Sequence, residues 1–335
     1  NYKGYIFICM EERSEINRAL IVSGGGSKGA FGGGVAQYLI EEEKKEYDLL
    51  IGTSTGSLLT PFIAIKKMDT LKEAYTTVTQ DDIFKINPFK ILKDDNGSTK
   101  IGINYLNVLW NVLVRRKNAF GDASNLRTLI DTFMTERDFE IIKDSNKEVL
   151  ACVTNMTLAQ TEYKSTNEYG WKDYGDWMLA SSTVPPFMEH VTKGGYDYAD
   201  GGILENIPIQ EAINRGATEI DVIILKKEHD SLAPERIRNP FHYLLRSIDL
   251  MMTEIGRDDI RIANLKAKIK GDVKINFYYT PRKLTNNSLV FNKEAMTEWW
   301  DEGYESAKQK YYKTYELARR KKPRLVYDGV SKWSS

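Results

Sequence analysis

Ser54 stands at the centre of Gly52-Thr53-Ser54-Thr55-Gly56, a G-x-S-x-G pentapeptide directly behind an apolar run over residues 47–51. A serine placed this way can act as a nucleophile. A short buried strand delivers it to a tight turn, and a helix over 57–65 leads away. Gly52 and Gly56 let the two backbones pass closely, so the hydroxyl projects. Such a pentapeptide arises by chance in about one chain in ten of this length. The rest of the chain must therefore supply two further parts: donors for a developing oxyanion and a base for the hydroxyl proton.

Residues 24–29, Gly-Gly-Gly-Ser-Lys-Gly, follow one strand (19–23) and open one helix (30–43). Gly24, Gly26 and Gly29 also satisfy G-x-G-x-x-G, the dinucleotide fingerprint, which requires an acidic residue at the end of the next strand. Asp48 lies at the beginning of that strand, its end is taken by the serine turn, and the Walker pattern is absent. An oxyanion hole uses both glycine turns. Backbone N–H groups at a helix start hold negative charge without reorganising, and one such donor is worth about 3 kcal/mol in the transition state. Gly24, Gly25 and Gly26 form this candidate hole, with Gly25 and Gly26 the preferred donors. Lys28 either adds positive charge there or is a solvated first-turn lysine.

The usual base is histidine, and the chain has three. His229 lies in a charged loop-like segment, His242 in an apolar helical pattern, and His190 on a loop behind Pro185-Pro186-Phe187. A Ser-His-Asp esterase of the α/β-hydrolase type would need His229 or His242. The other candidate is Asp200, followed by Gly201 and Gly202, where an extended segment over 196–199 meets a tight turn. An ordinary Asp-Gly hairpin turn is the competing reading of that segment.

The elements that must position these residues follow an α/β rhythm. Strands at 19–23, 47–51, 148–154 and 220–225 are nearly unbroken apolar runs, as in a parallel sheet covered on both faces. Between the second and third lies a largely helical insertion over 69–147, with a polar loop at 94–100. Its segment 103–116 carries Tyr105, Leu106, Leu109, Trp110 and Leu113 before Arg115-Arg116-Lys117. It is read here as a core-facing helix with solvated charges; the competing reading docks it on anionic lipid. The last third reads as a helix over 246–268, a strand over 273–280 and a helix over 293–320.

With 335 residues, 41% hydrophobic and 28% charged, the chain is an ordinary globular sequence, and 47 basic residues against 47 acidic ones give no pull toward nucleic acid. No apolar run reaches the ~20 residues that span a bilayer. Cys9 and Cys152 offer neither a disulfide framework nor metal-ligand spacing. A cytoplasmic or peripheral membrane location is expected. Residues 1–12 are set apart as an N-terminal extension, read as sequence upstream of a start at Met10 or as the tail of a targeting segment. Residues 17–227 are expected to form the catalytic core, with 228–335 a helical region packed on it.

Taken together and in order, Gly24-Gly25-Gly26-Ser27-Lys28-Gly29, Gly52-Thr53-Ser54-Thr55-Gly56 and Asp200-Gly201-Gly202-Ile203-Leu204-Glu205-Asn206-Ile207-Pro208 resemble the patatin-like phospholipase family. Residues 120–129 resemble the family's helix lead-in, and Ala180-Ser-Ser-Thr-Val-Pro-Pro-Phe resembles its A-S-x-A-x-P-x-F block. Ser23 departs from the Asp or Gly that often begins the family's loop. The resemblance implies a three-layer α/β/α fold with a mainly parallel central sheet. It also implies a Ser54–Asp200 dyad without histidine, acting on carboxylic esters of lipids with no metal or cofactor. The expected partner is the lipid substrate, met in transient contact with a membrane surface. A transacylase using the same dyad, or a non-enzymatic lipid-binding protein on the same scaffold, are the other readings.

Overall fold

The computed structural model describes residues 16–93, 99–228, 236–237 and 239–321. The extension 1–12, His229 and residues 94–98 of the polar loop lie outside them.

The chain begins with β1 (Arg18–Val22), a 3-10 turn (Gly26–Lys28), α1 (Gly29–Glu41), β2 (Leu49–Thr53) and α2 (Thr55–Ala64). The insertion holds α3 (Met68–Thr77), α4 (Gln80–Ile83), the strands β3 (Phe89–Lys93) and β4 (Thr99–Ile103), and α5 (Tyr105–Leu109). A π-helical turn (Trp110–Val114) continues α5, and α6 (Ser124–Phe133) and α7 (Glu136–Asp144) follow. The sheet resumes with β5 (Glu148–Asn155) and β6 (Gln160–Ser165), then α8 (Trp171–Ser181), β7 (Val191–Lys193) and β8 (Tyr196–Asp200). A second 3-10 turn (Gly201–Ile203), α9 (Ile209–Asn214), β9 (Glu219–Ile224), α10 (Pro240–Lys270), β10 (Lys274–Tyr279) and α11 (Lys293–Lys321) complete it. The antiparallel β3–β4 pair inside the helical insertion was not foreseen.

Strands β10, β9, β1, β2 and β5 pair in parallel in that order, while β6, β7 and β8 add antiparallel pairs. Side chains alternate across the sheet and fill a core on each face. Leu20, Val22 and Leu50 pack with α1, α2 and α3 on one side. Ala19, Ile21, Leu49 and Ile51 pack with Ile209, Ala212 and Ile213 of α9 and Ala263 of α10 on the other. This is the expected α/β/α layering, and burial on both faces explains why β1 is an uninterrupted apolar run.

Helix α1 carries Gly32-Gly33-Gly34, each about 1 kcal/mol worse than alanine in a helix interior. The run is explained by α11. A Cβ on Gly33 would overlap the Trp300 ring, and one on Gly34 would meet the Trp300 backbone, so small residues let the helices close. Trp300 is fully buried there, and its indole N–H donates to Gln37 Oε1 at 2.8 Å.

Segment 105–114 contradicts the core-facing expectation. Tyr105, Leu106, Leu109, Trp110, Leu113 and Val114 are exposed, while Asn111 is buried. Asn111 Nδ2 donates to the Ala119 carbonyl and Asn107 Nδ2 to the Asn87 carbonyl, both at 2.9 Å. The apolar side faces outward because the asparagine side carries the hydrogen bonds that attach the helix. Among the described residues, no helix is long and apolar enough to cross a membrane.

Candidate active site

The strand pairing brings two distant segments together. Strand β6 occupies one edge of β5 along residues 150–155. Strand β2 pairs with β5 up to Thr53↔Cys152, and β8 pairs from Val153↔Asp200 onward, so β2 and β8 share the opposite edge in succession. Ser54 leaves that edge where Asp200 arrives.

Ser54 has φ 54° and ψ −126°, a conformation that a residue with a side chain adopts only under constraint. The constraint is visible. Its carbonyl accepts from the Ser57 N–H at 2.9 Å, the Ser57 hydroxyl at 2.7 Å and the Ser182 hydroxyl at 3.2 Å. Its N–H donates to Ser181 Oγ at 3.0 Å, and Ser181 Oγ donates to the Cys152 carbonyl at 2.6 Å. Gly52 and Gly56 stand where β2 and α2 cross: a Cβ on Gly52 would collide with the Gly56 backbone, and one on Gly56 with the Val22 carbonyl.

The glycine loop lies beside this turn. A Cβ on Gly24 would sit 3.2 Å from Ser54 Cβ. The Gly24 N–H donates to the Asn206 carbonyl at 3.4 Å, whereas Gly25 and Gly26 enter the loop's hydrogen bonds through carbonyls that accept from Lys28 and Gly29. Gly26 has φ +56°, and any Cβ there would strike the Ser288 carbonyl, so no other residue fits without moving the loop. Gly29 packs against Thr55 and Tyr75, and Lys28 lies half-buried at the cavity wall.

Asp200 ends β8 with its carboxylate 1% exposed. Its N–H donates to the Thr183 carbonyl at 3.0 Å, and the Thr154 hydroxyl donates to its carbonyl at 2.9 Å. Oδ1 accepts the Gly202 N–H at 2.8 Å, so the expected hairpin alternative gives way to a 3-10 turn capped by the Asp200 side chain. Gly201 packs on the Cys152 carbonyl. Among the described residues, Oδ2 has no hydrogen-bond partner of ordinary geometry. Burial pushes the carboxyl up to about 6, and the Ser54 hydroxyl is the side chain that pulls it down again.

Ser54, Gly25 and Gly26 open onto a cavity of about 910 Å³ with an apolar wall that includes Phe62, Ile130, Met178 and Phe187. Asp200 does not line the cavity itself and lies buried behind its wall. His242 lines the cavity from the first turn of α10, and His190 Nε2 lies 3.3 Å from Asp197 Oδ1. Among the described residues, the groups that shift the ionisation of Asp200 are the Ser54 hydroxyl and the Gly202 N–H.

The family model for patatin-like phospholipase matches residues 20–213, more than half of the sequence and the stretch that contains both Ser54 and Asp200. The chain belongs to the patatin-like phospholipase family. It is 28% identical over 207 residues to the uncharacterised protein YjjU of Escherichia coli strain K12, an overlap of 61% of this chain and 51% of YjjU. The chain thus spans about half the length of that curated relative. Among solved structures it is similar to VipD from Legionella pneumophila, with a TM-score of 0.45 and 13% identity over 88% of this chain and 66% of the other. It is similar also to the type III effector protein ExoU, with a TM-score of 0.40 and 13% identity over 90% and 53% of the two chains.

In this patatin-like chain, residues beyond the matched segment also reach the site. Asp259 Oδ2, on α10, accepts the N–H groups of Asn206 and Ile207, both at 2.9 Å. Asn206 in turn holds Gly24 through its carbonyl. Ser288, between β10 and α11, accepts the Ser27 N–H at 2.8 Å. Sequence reasoning singled out none of Ser181, Asp259 and Ser288. Ser181 lies within the block over 180–187, where nothing local marks its role, and the other two sit in the C-terminal third with no motif to mark them.

Proposed function

We propose that this protein is a lipid acyl hydrolase working through a Ser54–Asp200 dyad. Ser54 Oγ attacks the carbonyl carbon of a carboxylic ester while its proton passes to the Asp200 carboxylate. The oxyanion is held by the Gly25 and Gly26 N–H groups, with Lys28 adding positive charge nearby. The C–O bond to the alcohol then breaks, and the leaving oxygen takes the proton from Asp200. Water, giving its proton to Asp200, attacks the acyl-enzyme; the carboxylic acid departs and Ser54 regains its proton. The Ser54 N–H is engaged by Ser181 and is not itself a donor to the oxyanion, whereas Gly25 and Gly26 line the cavity together with Ser54.

One observation carries this reading: a buried carboxylate, with an oxygen that has no other partner among the described residues, has its pKa pulled down by the hydroxyl of a strained serine at the wall of an apolar cavity. The test is labelling with a fluorophosphonate followed by a panel of lipid esters. Wild type should label stoichiometrically, Ser54→Ala not at all, and Asp200→Asn at least a hundredfold more slowly. A folded wild type that takes no label would refute the assignment. Acyl transfer to an added alcohol outrunning hydrolysis would redirect it to a transacylase.

A further inference from the structure

We propose that the outward face of residues 105–114 is the surface by which this protein settles on an anionic lipid membrane, with the cavity mouth against the bilayer. The inference rests on the lipid hydrolase reading for its choice of occupant, and on three observations of its own.

The first is the inverted polarity of the segment. Leu106 is 80% exposed, Leu113 67% and Trp110 55%, while the asparagines point inward and are bonded. A helix with its apolar face in solution and its polar face bonded to its own protein is a helix placed for a second, apolar phase. The second is continuity with the cavity. Tyr105 belongs to this exposed face and also lines the cavity, as do Ile101, Gly102 and Ile103 of the strand leading into it. A lipid leaving the bilayer at this face meets the cavity mouth without crossing water.

The third is charge. Among the described lining residues, Lys28, Lys90, Lys226, Lys227, Arg246 and Lys283 are cationic, and the one carboxylate, Asp249, pairs with Lys226 at 3.6 Å. The chain as a whole is balanced, so the cavity lining carries a local excess of cationic residues that suits anionic headgroups. The basic cluster after the helix contributes less than its sequence suggested. Arg115 is paired with Asp122 at 2.7 Å and Lys117 with Glu189 at 3.1 Å, leaving Arg116 as its exposed member.

The test compares wild type with a Leu106→Ser, Leu109→Ser, Leu113→Ser variant. The assays are co-sedimentation with phosphatidylglycerol–phosphatidylcholine vesicles, co-sedimentation with pure phosphatidylcholine vesicles, and hydrolysis of a soluble short-chain nitrophenyl ester. Wild type should partition at least tenfold more strongly onto the anionic vesicles, and its emission should shift to the blue there, a shift that Trp110→Phe removes. The triple variant should lose at least tenfold in partitioning yet keep wild-type turnover of the soluble ester. Equal binding of wild type and triple variant to anionic vesicles overturns the proposal. So does a wild-type dimer that the triple variant converts to monomer, because the face is then covered by a second copy. If instead no soluble ester is turned over while vesicle binding behaves as described, the docking surface stands and the hydrolase reading falls.

Discussion

Ser181 Oγ accepts the N–H of Ser54 and passes a hydrogen bond on to the Cys152 carbonyl, so one buried hydroxyl ties the strained serine turn to the neighbouring strand. Replacing Ser181 by alanine leaves a buried donor and a buried acceptor unpaired, at a cost of about 1–3 kcal/mol. The Ser54 turn then loses one of the bonds that hold its positive φ. Ser181→Ala should lower the melting temperature and reduce kcat on a soluble ester about tenfold, with KM little changed. Wild-type kcat in a destabilised Ser181→Ala protein would mean that the turn keeps its geometry without this bridge.

The proposed dyad also predicts a pH dependence. A base must be ionised to accept a proton, and burial has pushed Asp200 up to about 6. Its active form is therefore depleted as pH falls through that value. The kcat/KM profile for a non-ionising ester should rise from acid with an apparent pKa near 6 and flatten above pH 7. A rising limb centred near 4 would show that Asp200 ionises as an ordinary carboxyl and that burial does not govern the reaction. His242→Ala, in contrast, should leave both the limb and its height in place.

The same shift makes a statement about stability. A carboxyl whose pKa is higher folded than unfolded binds protons more tightly in the folded state, so its contribution is fully present below about pH 4 and is lost as pH rises through about 6. The shift from 3.8 to about 6 corresponds to at most about 3 kcal/mol. Asp200→Asn removes the ionisation and should be inactive but more stable than wild type above pH 6.5, with the difference vanishing near pH 4. Denaturant unfolding of both proteins across this range isolates the effect, because the other titrations cancel in the difference. A difference that does not change with pH would assign the ionisation elsewhere.

What the sequence made legible was local. The turns that carry Ser54 and Asp200 were readable because their glycines are required by close backbone approach, and such requirements leave a fixed spacing. The parallel strands were readable because burial on both faces forces apolar runs. The partners of these residues were not readable, since Ser181 meets Ser54 across 127 positions and nothing in the local pattern of either announces it. Segment 105–114 failed for a different reason. Periodicity gives the angular spread of apolar residues, but the side that faces the protein was decided by the bonds of Asn107 and Asn111 to carbonyls outside the helix.

Asp259 carries the last prediction. In the sequence it is one of two adjacent aspartates in a helical stretch, and no motif marks it. In the fold it is buried, and burial pushes its carboxyl up to about 7 even though the Ile207 and Asn206 N–H groups pull it down. Through Asn206 it fixes both the segment that follows Asp200 and, by the Asn206 carbonyl, Gly24 of the proposed oxyanion loop. It touches no reacting atom, so its effect on chemistry must act through position. Asp259→Ala leaves two buried N–H groups without an acceptor and should reduce kcat about tenfold together with a loss of about 2 kcal/mol or more in stability. Asp259→Asn keeps an acceptor oxygen and removes the buried charge. Its kcat should stay within about threefold of wild type, and because a raised carboxyl destabilises the fold once ionised, its stability relative to wild type should improve as pH rises through 7. An alanine variant that is less stable but has wild-type kcat would limit Asp259 to a structural role. An asparagine variant as slow as alanine would show that the charge itself, rather than the hydrogen bonds, positions the loop.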